Sequence, residues 1–216
     1  MMNIISKSSF FVSTGMALLA VSAFGSQASA ATLPLGGWSI LGSGSQSGNS
    51  LFLSTDGGVN TIDAESFLGL SSGTISSIGD NPTTGSVAAT TITANANDQI
   101  QFKWIFDAGD YLPYNDFAFY SVVESSSEGY LLSNVSLVGD YGEGSGIATY
   151  TFNTPGTYLI GVGVFNSLDS ALQSSLAIEP VPEPLTMLGA ATAISLGASF
   201  KRTLAKKQEK EKSNKA

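Results

Sequence analysis

The chain of 216 residues has no cysteine and no histidine. Without Cys there is no disulfide staple, so the fold must rest on a buried apolar core, and a segment of about 150 residues is large enough to supply one. Without His the commonest general base and the usual zinc and copper ligand are missing. Ser-His-Asp and Cys-His catalysis are therefore excluded, and acid–base chemistry would fall to paired carboxylates. Positive charge is scarce as well. Of nine Lys and Arg residues, Lys103 alone lies between Ala31 and Pro184, whereas fifteen of the seventeen Asp and Glu residues fall there, with only Glu209 and Glu211 beyond it. Such a surface repels phosphate backbones and argues against nucleic acid as a partner. It attracts cations, Ca²⁺ in particular, or serves as a solvated acidic face that keeps the protein soluble.

Both ends of the sequence have the character of targeting segments. Met1 to Lys7 carries one positive charge, Ser8 to Phe24 is apolar, and Ala28-Ser29-Ala30 supplies the small residues that signal peptidase accepts. Residues 1–30 are expected to form a signal peptide, with Ala28 and Ala30 as the small residues of the signal peptidase site and the mature chain beginning at about Ala31. Residues 31–180 are expected to be one exported domain.

That domain is rich in Gly, Ser, Thr, Asn and aromatics, in short alternating runs bounded by turn residues, and nearly lacks helical periodicity. These are the marks of an antiparallel β-protein. The clearest strand is Gln99 to Asp107, which places Ile100, Phe102, Trp104 and Phe106 on one face. Ser86 to Ala94 precedes it across the Asn95–Asp98 turn, and the two are expected to form a hairpin. Asp116 to Val123 is apolar on both faces and is expected to be central. Tyr130 to Leu132, Ile147 to Phe152, Tyr158 to Phe165 and Leu176 to Ile178 follow, and Gly161 and Gly163 mark a close approach on one side of their strand. Gly37 to Leu41 and Leu51 to Thr55 are weaker strands joined by a loop reading GSGSQSGNS, and Asp63 to Leu70 is expected to make a helical turn. Eight or nine strands suit an all-β fold, an antiparallel jelly-roll-like sandwich.

The stretch DAGDYLPYNDFAFYS concentrates Asp107, Asp110, Asn115 and Asp116 around one loop. Two readings are open for it: an oxygen-rich calcium site, and an acidic turn whose side chains satisfy nearby backbone donors. Trp38, Tyr111 and Tyr114 offer a sugar-stacking surface, with a place in the core beside Trp104 as the alternative for Trp38. Asp107 with Glu124 or Glu128 is the weakest reading, a pair of glycosidase carboxylates.

The segments FLGL at Phe67 to Leu70, TGSV at Thr84 to Val87, FKWIFDAGDYLPYNDFAFYSV at Phe102 to Val122, LLSNVSLVGDYG at Leu131 to Gly142, and GTYLIGVGVFNSLDSALQSSLAIE at Gly156 to Glu179 together resemble a β-sandwich domain of bacterial exported, surface-anchored and adhesin-like proteins. The resemblance implies a non-enzymatic extracellular module, stabilised by calcium or able to bind glycans. Its acidic positions fall on Asp110, Asp116 and Asp169, which with Asn115 make the implied calcium ligands. The chain departs from that pattern at Gln173-Ser174 and at Glu179, so one carboxylate is missing.

Residues 185–200 carry no charge and are rich in Ala, Gly and Leu, which suits a membrane-spanning helix. Lys201 and Arg202 then act as a stop-transfer signal, with a basic tail to Ala216 held inside. Directly before the apolar run stands Val181-Pro182-Glu183-Pro184, with Thr186 two residues after the triplet. These three parts in this order resemble the PEP-CTERM sorting signal, over Val181 to about residue 207. The resemblance implies an exosortase as partner, cutting at Pro182-Glu183-Pro184 after transient insertion in the inner membrane of a Gram-negative-type bacterium. The resulting expectation is a non-catalytic protein of the cell surface or extracellular polysaccharide matrix of a biofilm. A glycan-binding or adhesive module contacting exopolysaccharide is the alternative, and a carboxylate-dependent hydrolase the remote one.

Overall fold

The computed structural model describes residues 37–181. Ala28, Ala30, Pro182, Glu183, Pro184, Thr186, Lys201, Arg202 and the helix expected over 185–200 lie outside the described residues. Among the described residues no helix is long and apolar enough to cross a membrane.

The chain runs β1 (Ser39–Leu41), β2 (Ser43–Ser47), β3 (Ser50–Ser54), β4 (Val59–Asn60), α1 (Thr61–Leu68), α2 (Thr74–Ile78), β5 (Pro82–Ala94), β6 (Gln99–Asp107), β7 (Phe117–Val123), β8 (Ser127–Asn134), α3 (Val135–Val138), β9 (Glu143–Thr151), β10 (Gly156–Ser167) and β11 (Ser175–Pro180). One sheet has the order β1-β5-β10-β7-β8, with β4 also on β5, and the other has the order β2-β3-β11-β6-β9. All pairings are antiparallel. The two sheets enclose one core, in which Ile100, Phe102 and Phe106 of β6 and Leu176 and Ile178 of β11 meet Tyr158, Ile160, Val162 and Val164 of β10. Fully burying a side chain such as Phe102 contributes about 1.5–3 kcal/mol.

The expectation of apolar residues on both faces of β7 is met for a specific reason. Ala118, Tyr120 and Val122 enter the inter-sheet core, whereas Phe117 and Phe119 point to a second cluster with Phe165, Leu68 and Ile75, roofed by α1 and α2. The domain thus has three layers, with this sheet between the helices and the other sheet. Gly161 and Gly163 lie on the helix side, where a Cβ would collide with Leu68 and Ser121 at the first and with Phe119 and Val87 at the second. Helix α1 starts at Asn60, whose side chain accepts the Asp63 N–H at 2.9 Å, and stops at Gly69 with φ 66°.

Three expectations need correction. Strands Ser86 to Ala94 and Gln99 to Asp107 do not form a hairpin: β5 pairs with β1, β4 and β10, and β6 pairs with β9 and β11. The Asn95–Asp98 turn, with Asn97 at φ 70°, carries the chain from one sheet to the other. Both strands have an apolar face, and those faces meet across the core instead of lying side by side. The loop GSGSQSGNS contains β2, which pairs with β3 from Ser43↔Ser54 to Ser47↔Ser50. An edge strand with mostly solvated side chains needs no apolar residues, so its composition hid it. The strand count is eleven among the described residues instead of eight or nine.

Candidate functional site

Three connections meet at one end of the sandwich: the loop between β6 and β7, helix α3 with the residues up to β9, and the loop between β10 and β11. Asp116, immediately before β7, is fully buried among them. Its Oδ1 accepts the Ser167 N–H at 2.9 Å and its Oδ2 accepts the Ser174 hydroxyl at 2.6 Å. Asn166, with its amide oriented to satisfy its neighbours, donates to the same Oδ2 at 3.2 Å, to Thr55 Oγ1 at 2.8 Å and to Leu172 O at 3.1 Å. Ser174 also accepts from Gly109 N at 3.0 Å, and Gly109 is packed so tightly on Gln173 that a side chain there would strike its carbonyl. The Asp116 carboxylate therefore ties the start of β7 to the end of β10 and to the residue ahead of β11.

Burial raises the Asp116 carboxyl from its ordinary value to about 6. The hydrogen bonds from Ser174 and Ser167 oppose that rise, and the negative charges of Asp110 and Asp169 add to it. Asp110 and Asp169 thus lie within electrostatic reach of Asp116. It does not bring Asn115 to them as a ligand, because Asn115 Oδ1 accepts the Ser136 N–H at 2.9 Å and anchors α3. Asp110 is buried and turns its Oδ1 to its neighbour Tyr111 N at 2.8 Å, and Asp169 Oδ1 accepts from Ala171 N at 3.2 Å. Among the described residues no three acidic side chains converge as metal ligands. A Ca²⁺ ion wants six to eight oxygens at one point, and these four residues instead spend oxygens on separate backbone and hydroxyl donors. They do not fit the ion.

The surface of the same end is aromatic. Tyr111 meets Tyr114 edge to face at 5.5 Å and meets Tyr141 at 5.8 Å with the rings tilted by 40°. Tyr111 is 40% and Tyr141 60% exposed, and Leu112 beside them is 51% exposed. Tyr141 holds φ 54°, a left-handed conformation uncommon outside Gly, which here presents the ring outward. Its phenol is pushed up by partial loss of solvent and by the neighbouring Tyr111, Asp110 and Asp140. Trp38 is not part of this surface: it is 8% exposed and belongs to the core cluster.

The sequence reading missed Tyr141, although a signal was present. The triplet Gly-Asp-Tyr occurs at Gly109-Asp110-Tyr111 and again at Gly139-Asp140-Tyr141. The two copies clasp each other: Tyr141 N donates to Asp110 O at 2.9 Å, and Leu112 N donates to Asp140 Oδ1 at 3.0 Å. These two bonds between the copies set the tyrosines against one another.

No family model and no curated protein matches the sequence. Among solved structures, one that it is similar to is the enzymatically active domain of tailspike protein 4 of bacteriophage CBA120, at a TM-score of 0.31 and 12% identity, covering 68% of this chain and 20% of that one. The chain thus spans about a fifth of that structure's length.

Proposed function

We propose that this is a non-catalytic exported protein of the cell surface or extracellular polysaccharide matrix, delivered as a signal-peptide precursor and released through a PEP-CTERM signal, whose sandwich domain contacts polysaccharide. The routing rests on the ordered sequence parts: the leader ending at Ala28 and Ala30, the Pro182-Glu183-Pro184 triplet, the uncharged run 185–200, and the cations Lys201 and Arg202. The Pro residues favour an extended backbone without internal hydrogen bonds, the form a protease cleft accepts. A jelly-roll topology is supported by the strand order, in which β3-β11-β6-β9 faces β5-β10-β7-β8.

One observation carries the binding role: Tyr111, Tyr114 and Tyr141 form a solvent-facing aromatic cluster on a rigid base. Tyrosines pair an apolar face, which takes the C–H face of a pyranose ring, with a hydroxyl that bonds its substituents. The base is rigid because the loops beneath are fastened through Asp116. Burial of that carboxylate also keeps it from any substrate, so the one carboxyl raised toward neutrality at this end is not a general acid. The test is sedimentation of the protein with insoluble exopolysaccharide from the producing cells. Co-sedimentation that disappears in Tyr111→Ala/Tyr114→Ala supports the reading, and co-sedimentation unchanged by those substitutions refutes it.

A further inference from the structure

At the opposite end of the sandwich, the β7–β8 turn and the β9–β10 turn border a partly open cleft of about 200 Å³. Glu124 and Glu128 line it from one sheet, and Tyr150, Asn153, Thr154 and Tyr158 line it from the other strands. The tyrosines belong to a continuous aromatic run. Tyr120 stacks on Tyr130 at 4.7 Å, Tyr130 meets Tyr150 at 6.1 Å, Tyr150 meets Phe152 at 5.1 Å, and Phe152 meets Tyr158 at 4.5 Å. The Tyr130 hydroxyl donates to Glu128, and the Tyr158 hydroxyl donates to Thr154 O at 2.7 Å. Tyr120, Phe152 and Tyr158 of this run are buried, so Tyr150 is the lining residue that brings a partly exposed ring to the cleft, and these contacts hold it in place.

The cleft is negative and the domain has no cation to give it. Lys103, the one Lys or Arg among the described residues, pairs with Glu179 at 2.9 Å on the other sheet. The Tyr150 phenol is raised by burial and then by Glu128, Tyr158 and Glu124, and Tyr130 is raised by burial and by its bond to Glu128, both as expected beside uncompensated carboxylates.

We propose that this cleft binds the protonated primary amine of an amino sugar. Two carboxylates accept charge-assisted hydrogen bonds from an ammonium, and a tyrosine face adds cation–π attraction. The partly exposed Tyr150 ring offers the one apolar contact for the sugar ring, and Ser125, Ser126, Asn153 and Thr154 offer donors and acceptors for its hydroxyls. A bare divalent metal would find no three carboxylates here among the described residues. The site is separate from the Tyr111 cluster and does not depend on it.

The experiment is calorimetric titration of the full chain at pH 7 with glucosamine and with N-acetylglucosamine, which keeps the ring and hydroxyls but has no ammonium. Glucosamine binds about tenfold or more tightly than its acetylated counterpart, as loss of one charge-assisted contact implies. The preference disappears in Glu124→Gln/Glu128→Gln and persists in Tyr111→Ala/Tyr114→Ala, so failure of this site is distinguishable from failure of the tyrosine cluster. Equal affinity for the two sugars, no saturable binding of either, or a preference that survives the Glu→Gln substitutions overturns the proposal.

Discussion

The Ser174 hydroxyl donates to Asp116 Oδ2 at 2.6 Å, joining the loop before β11 in one sheet to the first residue ahead of β7 in the other. Both residues are fully buried, so neither partner can exchange the bond for water. Their contact fastens the base under the tyrosine cluster.

Ser174→Ala leaves a buried carboxylate short of one donor and Gly109 N without its acceptor. A loss of about 2–4 kcal/mol is expected, since a stranded buried polar group costs about 1–3 kcal/mol and a charged one more. Urea unfolding of the full chain measures it. A loss below about 0.5 kcal/mol would place the fastening elsewhere.

Asp116 also sets a pH dependence. Its folded-state value of about 6 lies above the ordinary carboxyl value, so the folded form holds the proton more tightly than the unfolded form. Its contribution is fully present below about pH 4 and is lost as pH rises through about 6, with a total of the order of 3 kcal/mol. The difference in unfolding free energy between the wild type and Asp116→Asn, compared at pH 4 and pH 7, isolates this group from the other acids. The asparagine variant gains on the wild type as pH rises; two parallel profiles would show that Asp116 does not titrate in this window.

At the surface, Tyr141→Ala is expected to weaken polysaccharide binding by about 3- to 10-fold, the worth of one aromatic contact. The melting temperature is expected to change by less than about 2 °C because the ring is mostly exposed. Co-sedimentation and thermal melts on the same sample separate the two effects. A large drop in melting temperature would make the tyrosine a structural residue.

Calcium chelation is expected to leave the melting temperature unchanged. The oxygens of Asp110, Asn115, Asp116 and Asp169 do not form a common shell, and a ligand that binds the folded form must raise its stability. A fall of several degrees on adding chelator would restore the calcium reading of the acidic loop.

The sequence shows most clearly what depends on alternation and on small residues at close contacts. Strand Gln99 to Asp107 has the bounds of β6, and the close approach marked by Gly161 and Gly163 is made by Leu68 of α1 and Ser121 at the first and by Phe119 and Val87 at the second. Alternation records which side of a strand is buried but not which strand lies beside it. A turn between sheets and a hairpin turn therefore look alike around Asn95–Asp98. Edge strand β2 carries no apolar face, and α2, at five residues, is too short for a periodic signal. Its start is fixed instead by the distant Glu65 carboxylate, which accepts from Gly73 N at 3.0 Å and from Ile75 N at 2.8 Å. Asp110 and Asp116 were legible together from their spacing in one loop, and Asp169 only through the resemblance. Their roles were not, since only the fold reveals that Asn115 turns to α3 and that Asp116 meets Ser174.

The intact mass of the protein recovered from the culture medium or cell surface of its producer tests the central account most directly, because it reports both ends at once. The account predicts a chain beginning near Ala31 and ending at or near Pro182-Glu183-Pro184, with the residues from 185 onward removed. A mass equal to the whole chain of 216 residues, recovered from cytosol with leader and basic tail in place, would contradict it.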